Sequence, residues 1–227
     1  LRELGLELGS LTAILITHTH ADHISGLQTL LKRCAAPVFT TERAARELSW
    51  RLPGAEARLD ALDFGIPQSI GEFAVTAFPT SHDAPGSCGF RLDAAGGAVG
   101  VLTDTGYVTD ETADILEGVD LAVLEANHDI ETLRSGPYPY YLKQRILGAQ
   151  GHLSNEDAAR FAAVLAQSGT SEIILAHLSR ENNTPAMAQT AVERALSAAG
   201  VSPLLSVAPR DCLGPAHTVS RRSVCRR

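Results

Sequence analysis

Residues 17–23 read Thr-His-Thr-His-Ala-Asp-His, so three histidines and one aspartate fall within six positions. Neutral imidazole and carboxylate are ligands for zinc and also for manganese and iron. The preceding residues, Leu11 to Thr17, are apolar and β-branched, which predicts a buried strand. Ligands at the end of a strand lie where α/β proteins form their sites. The segment therefore predicts a metal site rather than a solvated polar loop.

Polar residues also follow later apolar stretches of the chain. A histidine at such a place is often structural, and an Asp before Thr-Gly is often a turn residue. Their joint occurrence with the histidine-rich segment favours a common site. The candidate metal ligands are then His18, His20, Asp22, His23, His82, Asp104 and His177. Because one tetrahedral metal needs three or four ligands, this set suits two metals that share a carboxylate.

Composition limits the class of protein. The chain has 227 residues, of which 44% are hydrophobic and 20% charged, as in ordinary soluble proteins. No apolar stretch approaches a membrane span of about 20 residues, so we expect no membrane partner. The four cysteines are scattered without a C-x-x-C pair, which indicates a reducing, cytoplasmic location. The net charge of −7 gives no support for a nucleic-acid partner, although a local basic patch could serve. The sequence leaves the oligomeric state open.

The predicted elements alternate as in one α/β domain over residues 1–212. Strands are expected at 11–17, 37–40, 59–64, 72–78, 88–93, 98–103, 121–125, 173–176 and 204–207. Helices are expected at 24–34, 41–50, 110–116, 154–169 and 184–200, and in 134–147 after an interruption at Pro137 and Pro139. Ser154 and Thr184-Pro185 are typical of helix starts, and Gly169 and Gly200 of helix ends. The arginine-rich end, 213–227, predicts a basic, disordered tail.

The ligand pattern resembles the metallo-β-lactamase superfamily. In that family the first two histidines of the cluster share one metal with the next histidine, which implies His18, His20 and His82. The remaining cluster residues hold the second metal with the last histidine, which implies Asp22, His23 and His177. The later aspartate bridges the two metals, and this position is Asp104.

Further motifs narrow the resemblance. The segments 81–90 and 103–106 (Ser-His-Asp-Ala-Pro-Gly-Ser-Cys-Gly-Phe and Thr-Asp-Thr-Gly) are similar to the phosphodiesterase branch, which includes tRNA 3′-processing endonucleases and phosphoribosyl cyclic phosphodiesterases. The segments 124–129, 134–139, 151–158 and 175–183 resemble the YycJ/WalJ family. The resemblance runs from Leu1 to about Leu213. Members of that family are regarded as metal-dependent 5′→3′ DNA exonucleases in bacteria.

The resemblance implies an αββα sandwich. In the superfamily, a β-rich segment of several tens of residues precedes the histidine cluster. Here the cluster begins at His18. We therefore expect the sequence to be a fragment that lacks the N-terminal strands of the fold.

The implied reaction begins when a hydroxide held between two metals attacks phosphorus. Asp22 is expected to orient this hydroxide as well as to bind metal. His152 is the candidate general acid, since a similarly placed histidine serves the tRNA-processing relatives; the alternative is a histidine held by helix capping. Glu125 is expected to orient His152.

Substrate contacts are expected from the segment 133–145, which interleaves basic and aromatic residues. Such side chains can bind a phosphate backbone and stack a base, and the alternative is a helix with a solvated basic face. The candidates in this segment are Arg134, Tyr138, Lys143 and Arg145. Arg180 and Asn183 are candidates outside it. Asn127 and His128 are candidates either for substrate contact or for support of the metal ligands.

A 5′→3′ DNA exonuclease with two zinc or manganese ions is the prediction, and iron suits the same ligands. The first alternative is a phosphodiesterase acting on a small cyclic phosphate. A thioester or lactam hydrolase is a second, against which the segment around His82 and the presence of His152 count. A non-catalytic metal-binding module is the third.

Overall fold

The structure of the chain is a computed structural model that describes residues 1–219. The chain divides into two compact units. The first contains Leu1–Pro79 and Asp83–Phe90, and the second contains Thr80–His82 and the residues from Arg91 onward. The prediction of one domain over 1–212 stays a prediction. The basic tail predicted for 213–227 lies, from residue 220 on, outside the described residues.

The first unit holds a parallel three-stranded sheet with helices. Its strands, in spatial order, are β1 (Ile14–Leu15), β2 (Val38–Thr41) and β3 (Leu59–Leu62). Its helices are α1 (Ala21–Ile24), α2 (Leu27–Leu31) and α3 (Glu42–Arg51). Short 3-10 turns lie at Arg2–Leu4, Leu8–Ser10 and Glu56–Arg58. An antiparallel pair, β4 (Gln68–Ile70) and β5 (Phe73–Pro79), follows. Strand β6 (Cys88–Ala94) begins in this unit and continues in the second.

A small apolar core supports the first unit. The buried residues of this core are Ile16, Ile24, Leu27, Val38 and Leu48. Strand β2 lies in the middle of the sheet and is buried along its whole length. Helix α3 starts at Thr41, whose hydroxyl accepts a hydrogen bond from the Ala44 N–H as an N-cap does. This core fixes β1 and therefore the start of the histidine-rich segment.

The second unit is built on parallel strands. Their spatial order is β10 (Leu204–Val207), β9 (Glu172–Ala176), β8 (Leu121–Glu125) and β7 (Gly97–Leu102). The helices are α4 (Asp110–Leu116), α5 (Ile130–Ser135), α6 (Tyr140–Leu147), α7 (Asn155–Gln167) and α8 (Pro185–Ala198). Helices α7 and α8 pack against each other, and most of their buried residues are apolar. The predicted N-caps Ser154 and Thr184 are confirmed.

Three predicted elements differ from the structure. The helix expected at 24–34 is two short helices that meet at Ser25 and Gly26. In the stretch 134–147, the helix expected after Pro137 and Pro139 is α6, whereas Arg134 and Ser135 belong to the separate helix α5. The strand expected at 11–17 pairs with its neighbour only at Ile14–Leu15.

The helices of residues 1–219 are all too short or too polar to cross a membrane.

Candidate metal centre

The histidine-rich segment of the first unit follows β1 and brings its imidazole rings together. His18 Nε2 lies 3.1 Å from His20 Nδ1, and the ring centroids of His18 and His23 are 4.1 Å apart. The Thr17 hydroxyl lies 3.1 Å from His18 Nδ1 and 3.3 Å from His23 Nδ1. Imidazole nitrogens that converge in this way are typical of metal ligands held by outer hydrogen bonds.

Carboxylates accompany these rings. Asp22 and His23 lie on the short helix α1, where Asp22 Oδ2 is 3.7 Å from His23 Nε2. The Asp22 side chain is 69% exposed, whereas His18 is fully buried. Asp83, which belongs to the same unit, places Oδ1 3.5 Å from His20 Nε2. The four ligands predicted for this unit therefore form one cluster with a buried side and an accessible side.

The strands of the second unit bring the other predicted residues to one edge of the sheet. Strands β7, β8 and β9 are parallel neighbours, so their carboxyl ends lie together. Asp104 follows β7, Glu125 is the last residue of β8, and His177 follows β9. Glu125 lies opposite Ala176, directly before His177. The sequence pattern of polar residues at strand ends thus becomes a cluster.

Asp104 and His177 have positive φ angles of 59° and 56°. They are the two residues other than glycine with this conformation within positions 1–219. A left-handed backbone costs a residue with a side chain about 1–3 kcal/mol and is often found at functional sites. Asn127 helps to hold this conformation, because its Nδ2 donates a 2.9 Å hydrogen bond to the carbonyl of His177.

Glu125 is the centre of the hydrogen bonds in this cluster. Its Oε1 lies 2.8 Å from His152 Nδ1 and 2.9 Å from His177 Nδ1. Its Oε2 accepts bonds of 3.1 and 3.2 Å from the backbone N–H groups of Thr105 and Leu153. Burial would raise the pKa of this fully buried carboxyl, but the hydrogen bonds from His152 and His177 hold the pKa well below its ordinary value. Glu125 is therefore an anion that orients two histidines.

His152 lies before the N-terminus of α7, beside a second predicted ligand. Burial would lower the pKa of His152, but the hydrogen bond and the charge of Glu125 raise it above the ordinary value. The ring centroid of His82 is 5.0 Å from that of His152, and His82 Nδ1 lies 3.1 Å from the carbonyl oxygen of Gly151. Because Glu125 holds Nδ1 of His152, Nε2 is the nitrogen that can pass a proton onward.

The donor atoms of both units fit divalent metal ions. In the second unit, Asp104, Glu125, His152 and His177 each offer a ligand atom within 4.8 Å of the others. Imidazole nitrogen and carboxylate oxygen, without thiolate, suit zinc, manganese or iron. The number of ions and the role of each residue stay predictions.

Three residues predicted to touch substrate lie inside the protein. Asn127, His128 and Asn183 are 8%, 1% and 7% exposed. Neither ring nitrogen of His128 has a hydrogen-bond partner among residues 1–219, and burial lowers the pKa of this histidine to about 4. The burial of these side chains argues against direct contact with substrate.

The buried asparagines instead join elements of the second unit. Asn183 and Asn155 exchange side-chain hydrogen bonds of 2.8 and 3.0 Å. Asn183 Nδ2 also lies 2.8 Å from the Ala126 carbonyl and 3.1 Å from the Asn127 carbonyl. The segment after His177 is thereby fastened to the end of β8 and the start of α7. These amides act on the cluster through the backbone.

The basic and aromatic side chains of the segment 133–145 differ from one another in their contacts and their exposure. Lys143 Nζ donates bonds of 2.6 and 2.7 Å to the carbonyls of Arg134 and Gly136, and so caps the end of α5. Arg145 lies on the surface, as does Arg134, which pairs with Glu131 at 3.3 Å. Tyr138 is half-buried.

The most exposed aromatic side chains of this segment are two neighbours of Tyr138. Tyr140 and Tyr141 are 77% and 74% exposed. Arg180, outside the segment, is exposed and lies 3.4 Å from Asp211.

Supporting residues of the first unit escaped the sequence-based prediction. Thr19, between two predicted ligands, bonds to Glu47 and Arg51 of α3. The only local signal in the sequence is the four-residue spacing of Glu47 and Arg51. This spacing predicts an ion pair on a helix, but it does not predict that the pair bonds to Thr19. Asn155, in the second unit, also escaped the prediction, because its hydrogen-bond partner Asn183 lies 28 positions away in the sequence.

The arrangement of ligands and strands agrees with known proteins. Residues 2–178 match the beta-lactamase superfamily domain, and the chain belongs to this family. It is a hydrolase of the metallo-β-lactamase fold. The crystal structure of the metallo-β-lactamase fold protein YhfI from Bacillus subtilis superimposes with a TM-score of 0.69 at 19% identity, covering 88% of this chain and 76% of that one. The predicted α/β fold class is confirmed.

Two sequence relatives indicate which group of this superfamily the chain is similar to. Exodeoxyribonuclease YycJ from Bacillus anthracis is 35% identical over 202 residues, which cover 88% of this chain and 76% of that protein. Exodeoxyribonuclease WalJ from Streptococcus pneumoniae serotype 2 is 38% identical over 202 residues, which cover 88% of this chain and 75% of that protein. The predicted resemblance to the YycJ/WalJ family is therefore confirmed.

Proposed function

We propose that this chain is a metal-dependent DNA exonuclease that cleaves phosphodiester bonds in the 5′→3′ direction. The observation that carries the proposal is the hydrogen bond between His152 and the buried carboxylate of Glu125, beside Asp104 and His177. A histidine whose protonated form is favoured by a neighbouring carboxylate can donate a proton to a leaving oxygen. A module that only stores metal has no need of such a donor. The names of the two relatives support DNA as the substrate. A cytoplasmic location is part of the proposal, and the scattered cysteines support it.

We assign the seven predicted ligands to two divalent ions. The ligand chemistry supports this, because seven donors exceed the three or four of a single tetrahedral site. The residues that would hold these ions are those implied by the family pattern, His18, His20, Asp22, His23, His82, Asp104 and His177. Zinc or manganese suits this donor set, and iron shares it.

The proposed mechanism divides the work among the residues of the chain. Two divalent ions supply the positive charge that acidifies water and neutralises the phosphate. The accessible carboxylate of Asp22 accepts a hydrogen bond from the attacking water and orients it toward phosphorus. His152 donates its Nε2 proton to the leaving oxygen. Glu125 forms a hydrogen bond with Nδ1 of His152, so that the ring does not rotate. It thereby also keeps the Nε2 proton on the ring until the leaving oxygen takes it.

A local basic surface supports nucleic acid as the substrate despite the net charge of −7. No Asp or Glu occurs between Glu131 and Glu156, although the chain contains 26 acidic residues. This stretch presents the exposed side chains of Arg145, Tyr140 and Tyr141 and ends near His152. Cationic and aromatic side chains bind phosphates and stack bases without sequence preference.

The proposal is tested by incubating the metal-reconstituted protein with duplex DNA labelled at either 5′ end or internally. We expect mononucleotides to be released from the 5′ end with zinc or manganese, and no release after chelation. A protein that retains bound metal yet leaves both DNA and bis-p-nitrophenyl phosphate intact would contradict the proposal. Hydrolysis of only the small ester would instead support the alternative of a small-molecule phosphodiesterase.

A further inference from the structure

Helix α3 forms hydrogen bonds with Thr19, which lies between the predicted metal ligands His18 and His20. The Thr19 hydroxyl donates a 2.6 Å hydrogen bond to Glu47 Oε2. The Thr19 carbonyl accepts a 2.8 Å bond from Arg51 Nη1. Arg51 Nη2 in turn donates a 2.5 Å bond to Glu47 Oε1. These three bonds close a ring in which one ion pair holds the hydroxyl and the carbonyl of Thr19. All three residues belong to the first unit.

Because Thr19 lies between His18 and His20, this ring of hydrogen bonds affects both imidazoles. In an extended chain, successive side chains point to opposite sides. The side chains of His18 and His20 meet at 3.1 Å on one side, and the Thr19 side chain reaches α3 on the other. Thr19 is 1% exposed, so it has little room to move. Fixing its carbonyl and hydroxyl therefore fixes the spacing of both imidazoles.

We propose that Thr19, Glu47 and Arg51 are positioning residues that preorganise His18 and His20 for metal binding. The inference rests on the proposed metal centre and adds a support that lies outside the ligand set. Groups that bond to metal ligands typically change metal affinity by about 10- to 100-fold when they are lost. Because this ring acts through the backbone, we expect the lower end of that range, about tenfold.

Helix α3 also provides a matched control. Glu42 and Arg46 form an ion pair of the same type, at the same four-residue spacing and 2.5 Å distance. Their side chains are 69% and 74% exposed, and the hydrogen bond of Arg46 is to Glu42. Loss of this pair changes the stability of α3 in the same way without touching Thr19.

The test is titration of the apoprotein with Zn²⁺, followed by isothermal calorimetry, and with Co²⁺, followed by its visible spectrum. Thr19→Val removes only the hydroxyl. Arg51→Lys keeps the charge but loses the planar guanidinium, whose two separate nitrogens bond the Thr19 carbonyl and Glu47. We expect both to weaken metal binding at the site that contains His18 and His20 about tenfold, and to alter the cobalt spectrum. Thr19→Ser and Arg46→Lys should stay within about twofold of the parent protein.

Two results would overturn the inference. Equal metal affinity for the parent, Thr19→Val and Arg51→Lys proteins would show that the ring does not position the ligands. Equal weakening by Arg51→Lys and Arg46→Lys would assign the effect to the helix alone. A parent protein that binds no metal would overturn the proposed function as well, whereas normal binding without a variant effect overturns this inference only. Since Arg51 is exposed, Arg51→Lys is expected to fold even if Thr19→Val does not.

Discussion

At the scale of single residues, Glu125 links the proposed proton donor to a proposed metal ligand. Both histidines bond to the same carboxylate oxygen, and two backbone N–H groups bond to the other. A buried carboxylate with four hydrogen-bond donors stays ionised at low pH. Its charge in turn raises the pKa of His152. The acid function of His152 therefore depends on Glu125.

Glu125→Gln should shift the pH dependence of turnover. A general acid works in its protonated form, so the rate falls as the pH rises through the pKa of His152. Without the charge of Glu125, burial becomes the main influence and lowers that pKa. We expect the alkaline limb of the profile of kcat against pH to move to lower pH.

Glu156→Gln, an exposed carboxylate at the start of α7, is the control and should leave the limb in place. Metal content must be measured for each variant, because Glu125 also contacts His177. An unmoved limb in Glu125→Gln at unchanged metal content would mean that another group supplies the proton.

At the scale of elements, the sequence predicted best where one local pattern determines the structure. The strand ends before Asp104, Glu125 and His177 follow from apolar runs, and parallel pairing then brings them together. The helix starts at Ser154 and Thr184 follow from capping residues.

The sequence could not reveal interactions that join distant segments. Thr19 bonds to a residue 28 positions away, and Asn183 bonds to residues 28 and 57 positions away. No period or motif marks such pairs, because threonine and asparagine are equally common in turns. The sequence therefore leaves Asn127 open between substrate contact and support of the metal ligands, and it predicts Asn183 as a substrate contact. Both are buried and bonded within the protein.

Asn183→Ala should destabilise the second unit. The change removes the hydrogen bonds that Asn183 makes with the side chain of Asn155 and with the carbonyl of Ala126. Buried polar groups that lose their partner cost about 1–3 kcal/mol each. We expect the free energy of unfolding, measured with urea, to fall by about 2 kcal/mol. Gln144→Ala removes an exposed amide on α6 and should have little effect; an equal loss in both variants would refute the role of the buried network.

At the scale of the whole molecule, charge is distributed unevenly along the chain. The net charge is −7, yet the acid-free stretch from 132 to 155 carries three cations and three of the four tyrosines. Because acidic residues repel a polyanion, this acid-free stretch is suited to contact the proposed DNA substrate. Helix α6 lies in this stretch and ends where the chain turns toward His152 through the bond between His152 N–H and the Ile146 carbonyl.

The central claim is that two ions and a separate proton donor act together, and one paired measurement tests it most directly. Metal content and DNA turnover are measured on the same preparations of the parent protein and His152→Ala. The account predicts about two ions per chain in both, with kcat lowered about 10²- to 10⁴-fold in the variant. Loss of an ion in His152→Ala would make His152 a ligand rather than the acid. Unchanged turnover at full metal content would contradict the account.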